Sequence, residues 1–127
     1  MDINILPLDE STLKTPPVDD FGFGNKFSNR MFTQKYTEGV GWHDAQVGPY
    51  GPFELDPSTA VFHYAQEIFE GTKAYRRDDG NINLFRPWEN TRRFNVSAQR
   101  MVMPAVDEEP RLGGKPKETE PADDEGL

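Results

Sequence analysis

The 127-residue sequence contains no cysteine, no long apolar run and only two histidines. The lack of cysteine excludes disulfide bridges, thiolate metal ligands and thiol nucleophiles together. Without an apolar stretch of about 18 residues, no transmembrane helix is indicated. The first residues also lack the basic and apolar regions of a secretory signal, so we expect a cytoplasmic protein.

An excess of basic residues is also missing, since the formal net charge is −8. A nucleic-acid-binding surface must be cationic to displace counterions, so nucleic acid is not an expected partner. The segment from Asp107 to Leu127 holds eight acidic and three basic residues and few apolar ones. Such a segment cannot bury enough apolar area to offset its ordering entropy. We predict an acidic, disordered tail over residues 108–127 and a flexible polar arm over residues 1–20.

Residues 21–107 contain strand and helix signals. The mixed apolar and polar stretch 27–36 is consistent with a strand. The glycines, prolines and aromatic residues between 39 and 53 indicate short strands or a packed loop. Asp56 and Pro57 favour a helix start, and apolar residues then recur at helical spacing, so we predict a helix that stops at Gly71. Its expected buried face consists of Val61, Tyr64, Ala65 and Ile68.

Two further elements follow this helix in the sequence. Strands at 72–76 and 82–85 flank an Asp-Asp-Gly-Asn segment, which predicts a hairpin because Asp and Gly tolerate the positive φ of tight turns. A second helix is predicted from about Pro87 to Pro104. Phe94, Ala98 and Met101 should share one face of it.

Several templates for functional sites are incomplete. The Gly-x-Gly fragments at 22–24 and 39–41 lack the third glycine and the preceding strand of a dinucleotide site. His43 and His63 are far apart in sequence with no helix-spaced acidic partner, so surface or satisfied histidines are favoured over a metal site. Ser97 lacks the Gly-x-Ser-x-Gly elbow of a nucleophilic serine.

One ordered series of motifs is much more specific. It comprises His63–Arg76, Leu84–Pro87 and Asn90–Phe94, preceded by Lys26–Met31, Pro49–Pro52 and Leu55–Pro57. In this order, the motifs resemble those at the start of branched-chain amino-acid aminotransferases. The resemblance extends over residues 21–107, which is 87 of the 127 residues.

The resemblance implies a fold-type IV enzyme that uses pyridoxal 5'-phosphate. Residues 21–107 would be an incomplete part of its small N-terminal α/β (α+β) domain. Such enzymes transfer an amino group between leucine, isoleucine or valine and 2-oxoglutarate, and they are homodimers. The implied partners are therefore branched-chain amino acids, 2-oxo acids and a second copy of the protein.

The resemblance also implies roles for individual residues. Arg93 corresponds to the residue that binds the cofactor phosphate, whose oxygens fit the planar fork of a guanidinium. From the residues alone, a solvated helix arginine remains the alternative. Tyr64 and Phe69, and more weakly Phe27, correspond to residues that line the substrate side-chain pocket. Ordinary core packing is the alternative for the Tyr64 and Phe69 rings.

No catalytic residue is assigned within this chain. The Schiff-base lysine of the family lies far downstream, and Lys73 matches a position where the family commonly has a lysine that is not catalytic. We therefore expect the chain to be inactive by itself. The resemblance stops near Asp107, and a frame disruption, a truncated gene or a fragment would each produce such an end.

Two other functions remain open at this point. The chain could be a non-enzymatic protein that dimerises with a full-length aminotransferase and modulates it, which co-purification would reveal. A changed substrate, as in D-amino-acid aminotransferase or aminodeoxychorismate lyase, is disfavoured because those relatives match the segment 64–76 poorly. A preference among leucine, isoleucine and valine cannot be read from the sequence.

Overall fold

A computed structural model of the chain describes residues 2–14 and 22–108 and shows a mixed α/β architecture. Its elements are β1 (Asn4–Ile5), a 3-10 helix (Glu10–Thr12), β2 (Arg30–Thr37), β3 (Gly41–Pro49), α1 (Ala60–Tyr64), β4 (Ala74–Arg76), β5 (Ile82–Leu84) and α2 (Pro87–Arg100). The described residues fall into two compact units, one before and one after the boundary between Thr59 and Ala60. The mixed α/β class predicted from the sequence is confirmed.

The first unit is built on a β2–β3 hairpin, to which β1 adds as a parallel strand beside β3. In the β2–β3 turn the Val40 amide donates to the Thr37 carbonyl oxygen at 3.0 Å. Gly39 and Gly41, at φ +81° and +87°, supply the backbone conformations that a side chain would disfavour there. The glycine-rich segment predicted as strands or a packed loop is therefore mostly one strand, β3.

Part of the predicted N-terminal arm is held against this sheet. The Leu6 amide donates to the Val47 carbonyl oxygen at 2.9 Å, and Arg30 Nη1 donates to the Leu6 carbonyl oxygen at 2.9 Å. Asn29 exchanges two bonds with the backbone of Lys14, at 2.9 and 2.8 Å. Residues 4–6 thus pair with the edge of β3, whose unpaired backbone groups are a template for another strand. Lys14 is held by Asn29, next to the start of β2.

The first unit buries few side chains. Ala45 and Gly48 of β3 are its buried positions among the described residues. A Cβ added to Gly48 would lie 3.1 Å from Leu6 Cδ1, so glycine allows Leu6 to approach the strand closely. The close approach of β1 therefore depends on this glycine.

The first predicted helix is much shorter than expected. Asp56 does cap a turn, because its Oδ1 accepts from the Ser58 amide at 2.8 Å. The helix α1 covers only Ala60–Tyr64, and Ala65 at φ +48° ends it. The prediction that the helix runs to Gly71 is wrong, and Gly71 is not a helix stop.

Contacts with α2 explain why the helical pattern after Tyr64 is not realised. Gln66 Nε2 donates to the Met101 carbonyl oxygen at 2.9 Å, and Asn90 Nδ2 donates to the Gly71 carbonyl oxygen at 2.8 Å. These bonds hold residues 65–73 in a non-helical path along α2. The tertiary hydrogen bonds thereby override a weak local propensity.

The predicted hairpin is confirmed. β4 and β5 pair antiparallel, with Ala74 opposite Leu84 and Arg76 opposite Ile82. Gly80 has φ +81°, and the Asn81 amide donates to Asp79 Oδ1 at 3.0 Å within the turn. Gly80 and the Asp79 side chain therefore stabilise the turn that was expected from the sequence.

The second predicted helix is confirmed as α2. It starts at Pro87 as expected and ends at Arg100 rather than Pro104, with Met101 as its C-cap. Ala98 is buried and Phe94 is half-buried, in agreement with the predicted apolar face. Beyond it, residues 109–127 of the predicted disordered tail lie outside the described residues.

Candidate functional site

A cluster of charged and amide groups lies where the segment after α1 meets α2. Glu70 is at its centre, with only 14% of its side chain exposed. Arg93 donates to both carboxylate oxygens, through Nε to Oε2 at 2.7 Å and through Nη2 to Oε1. Asn90 Nδ2 and the Gly71 amide each donate to Oε1 at 3.0 Å. The Glu70 carboxylate is therefore held by four donors.

The helix α2 brings the two side-chain donors together. Asn90 and Arg93 are three residues apart, so they lie on the same face of the helix. Glu70 comes from the non-helical segment, and Asn90 also bonds the Gly71 backbone. The cluster thus forms only when that segment lies along α2.

These contacts set the charges of the pair. Hydrogen bonds from Arg93, and then from Asn90, lower the Glu70 pKa to about 2. The hydrogen bond to Glu70 in turn raises the Arg93 pKa. We therefore expect both groups to be charged throughout the physiological pH range.

Arg93 keeps part of its binding capacity. A guanidinium has five N–H donors, and Glu70 takes the edge formed by Nε and Nη2. The hydrogens on Nη1 and the second hydrogen on Nη2 bond no other residue within 2–14 and 22–108. With 69% of the side chain exposed, this second edge can accept an external anion with two oxygens.

The neighbouring Arg92 has a different environment. Its Nη1 donates to Glu89 at 2.9 Å, and its Nε lies 3.8 Å from a Glu108 oxygen. Glu89 also accepts from Arg86 at 3.1 Å, so this end of the helix carries its own charge network. Arg92 is thus paired with two carboxylates and does not contribute to the Glu70 cluster.

The aromatic candidates are exposed. Tyr64 and Phe69 are 80% and 92% exposed, so the prediction that Tyr64 lies on a buried face is wrong. The helix stops at Tyr64 and so forms no continuous face. Phe27 is 56% exposed, belongs to the first unit, and stacks on Tyr50 with ring centroids 5.0 Å apart. The Tyr64 and Phe69 rings are therefore not core residues of this chain.

His43 is a satisfied histidine, as the sequence favoured. Its Nε2 lies 2.8 Å from the Thr37 hydroxyl, and its Nδ1 lies 3.3 Å from Asp44 Oδ2. In the part of the chain that the structure describes, no three His, Asp or Glu side chains are grouped to hold a metal ion. Nor is any helix there long and apolar enough to cross a membrane.

Comparison with known proteins identifies the family. No family model matches the chain. The chain is 53% identical over 94 residues to branched-chain-amino-acid transaminase 1 of Bacillus subtilis, a match over 74% of this chain and 26% of that protein. It is 59% identical over 85 residues to a probable branched-chain-amino-acid aminotransferase of Streptomyces coelicolor, over 67% of this chain and 24% of that protein. A Mycolicibacterium smegmatis branched-chain-amino-acid aminotransferase is 51% identical over 100 residues, with 79% and 26% covered.

The chain belongs to the branched-chain aminotransferase family. This assignment confirms the resemblance found from the motifs. The chain spans about a quarter of the length of the curated relatives it matches. The activity, substrates and partners of a whole aminotransferase are therefore matters of proposal for this chain.

Glu70 and Asn90 are the members of the site that sequence reasoning missed. Both lie inside the motifs that identify the aminotransferase family, but neither was assigned a role. One signal was available, because Asn90 is one helical turn before Arg93. Glu70 could not have been found in this way, since its contact with Arg93 is made across 23 residues.

Proposed function

We propose that this chain supplies part of the small domain of a fold-type IV, pyridoxal-phosphate-dependent branched-chain aminotransferase. The reaction would transfer an amino group between leucine, isoleucine or valine and 2-oxoglutarate. The observation that supports it most strongly is the exposed second edge of the Arg93 guanidinium. The motif resemblance makes Arg93 the counterpart of the phosphate-binding residue of such enzymes. A homodimer is the assembly that this proposal implies.

The donors present fit the anionic part of the cofactor. The uncommitted Arg93 edge offers two roughly parallel N–H groups, which match two phosphate oxygens. Arg92 offers no comparable edge, because Glu89 and Glu108 flank it. When bound, pyridoxal phosphate supplies the electron sink for amino-group transfer. Arg93 holds its phosphate and so positions it.

We propose that exposed aromatic residues contact the aliphatic side chain of the substrate. Tyr64 and Phe69 of the second unit are largely exposed and can contact an aliphatic ligand. Phe27, in the first unit, is a separate candidate that the resemblance supports more weakly. Burial of one methylene contributes about 0.8 kcal/mol, which is about fourfold in affinity. Such a surface favours branched aliphatic side chains as a class and separates valine from leucine only weakly.

The lysine that forms the Schiff base with the cofactor then lies outside this chain. Lys73 is exposed and immediately precedes β4, and its position matches a lysine that is not catalytic in the family. The chain covers about a quarter of its relatives, so most of their sequence is available to carry the lysine. The chain by itself then binds the phosphate without completing transamination.

The test is binding of a phosphate ester to the 127-residue chain. Pyridoxine 5'-phosphate is a suitable probe, because it lacks the aldehyde and cannot form an imine with surface lysines. We expect Arg93→Lys to weaken binding about tenfold, since a point charge replaces the bidentate fork. Binding can be followed by phosphorus NMR at fixed ionic strength.

Matched controls separate this site from general electrostatics. Arg92→Lys makes the same change one residue away and should leave the affinity within about twofold. Pyridoxine without the phosphate should bind no better to the wild type than to Arg93→Lys. Equal affinity of the wild type and Arg93→Lys for pyridoxine 5'-phosphate would overturn the proposed role of Arg93.

A further inference from the structure

We propose that Glu70 is a positioning residue that orients the Arg93 guanidinium for the cofactor phosphate. The inference rests on the proposed function, in which Arg93 binds that phosphate. Glu70 binds the Nε–Nη2 edge of the guanidinium, so the opposite Nη1–Nη2 edge points away from the carboxylate. A phosphate would then bind a guanidinium whose orientation is already fixed.

The pair with Glu70 favours phosphate binding because it orders the Arg93 side chain in advance. An unrestrained arginine loses rotamer entropy when it is fixed. Arg93 is 69% exposed, so packing alone does not immobilise its end. The bidentate pair with Glu70 restricts the guanidinium before a ligand arrives, which reduces the entropy lost on binding.

Glu70 is itself a fixed partner. Its side chain is only 14% exposed, and Asn90 Nδ2 and the Gly71 amide both donate to its Oε1. A freely moving carboxylate would follow the arginine instead of orienting it. Because two further groups hold Glu70, the guanidinium takes its orientation from the carboxylate.

A simple Coulomb argument predicts the opposite effect. A carboxylate close to an anion site repels the anion, so neutralising Glu70 should strengthen phosphate binding. Positioning predicts that the same change weakens binding. The sign of the effect of Glu70→Gln therefore distinguishes the two explanations. In Gln, one oxygen is replaced by an amide donor, which cannot accept from Arg93.

The experiment measures binding of inorganic phosphate and of pyridoxine 5'-phosphate to the 127-residue chain. We expect Glu70→Gln to weaken both about five- to tenfold. Glu67→Gln is the matched control, because it removes the same charge from an exposed position in the same segment. It should leave binding unchanged or slightly tighter. Equal or tighter binding by Glu70→Gln would overturn the positioning role.

A double-mutant cycle separates this role from a purely structural one. If Glu70 acts through the Arg93 fork, Glu70→Gln should have no further effect once Arg93→Lys is present. Additive effects would overturn the proposal. If Arg93→Lys alone has no effect, the proposed function fails instead. A chain in which Arg93→Lys weakens binding and Glu70→Gln does not refutes only the positioning role.

A spectroscopic readout guards against misfolding of the variant. The Nε–H proton of Arg93 should exchange slowly in the wild type and faster in Glu70→Gln, while amide protection in α2 is retained. If α2 loses protection in that variant, Glu70→Asp replaces it. Asp keeps the charge but is one methylene shorter, so we expect weaker phosphate binding with α2 intact. Unchanged binding by Glu70→Asp would then overturn the proposal.

Discussion

Removal of the Asn95 side-chain amide should release the chain that follows α2. Asn95 Nδ2 donates to the Val106 carbonyl oxygen at 2.9 Å, and the Val106 amide donates to Asn95 Oδ1 at 2.9 Å. Both residues are half-buried. One side chain thus satisfies both backbone groups of a residue that lies beyond the helix end. We choose Asn95→Ala as the perturbation.

The expected change in global stability is small. Each hydrogen bond contributes about 1 kcal/mol net, so the lost pair is worth about 2 kcal/mol. Alanine is the better helix former by up to about 0.7 kcal/mol, which offsets part of this loss. Water also reaches the freed groups, because the site is only half-buried. We expect a global destabilisation of about 1 kcal/mol.

The quantity to measure is therefore the free energy of local opening at Val106. Amide hydrogen exchange reports the free energy of local opening, and about 1.4 kcal/mol corresponds to tenfold in protection. We expect the Val106 amide to lose about tenfold protection in Asn95→Ala while Ala98 keeps its protection. Gln99→Ala, an exposed change on the same helix, is the control. The reasoning is refuted if Val106 exchanges equally fast in the wild type and in Asn95→Ala.

Two further predictions concern a turn and an ion pair. Gly80→Ala should destabilise the β4–β5 hairpin by about 1 to 2 kcal/mol, because Gly80 has φ +81°, which a residue with a side chain disfavours. An added Cβ would meet no other atom within 4 Å, so the cost is backbone strain and not a clash. Gly71→Ala is the control, because Gly71 does not have a positive φ and an added Cβ there meets no atom within 4 Å. An unchanged cross-strand contact between Ala74 and Leu84 in Gly80→Ala would contradict the prediction. Since the Glu70 pKa is lowered to about 2, the stability from its ionised form should be present above the ordinary carboxyl pKa and lost as the pH falls towards about 2. Carbon NMR of the Glu70 carboxyl measures this midpoint, and an ordinary carboxyl value would contradict the ion pair.

The helix α1 shows where local sequence patterns lose their predictive value. The capped turn at Asp56, which precedes α1, followed from local chemistry, because a cap acts through bonds to its immediate neighbours. The length of α1 did not follow from local patterns, because residues after Tyr64 make hydrogen bonds to Asn90 of α2 and to its C-cap Met101. A short helix has little cooperative stability of its own, so a few tertiary bonds decide its end.

Sequence patterns were sufficient to predict the family, the β4–β5 hairpin and the helix α2. These depend on motif order, turn residues and apolar spacing, which are local properties. Three features became visible in the folded chain. Glu70 pairs with Arg93, Arg92 is held by Glu89 and Glu108, and Tyr64 and Phe69 are exposed. Each of these depends on which chain segments meet, and spacing along the sequence carries no information about contacts between segments far apart.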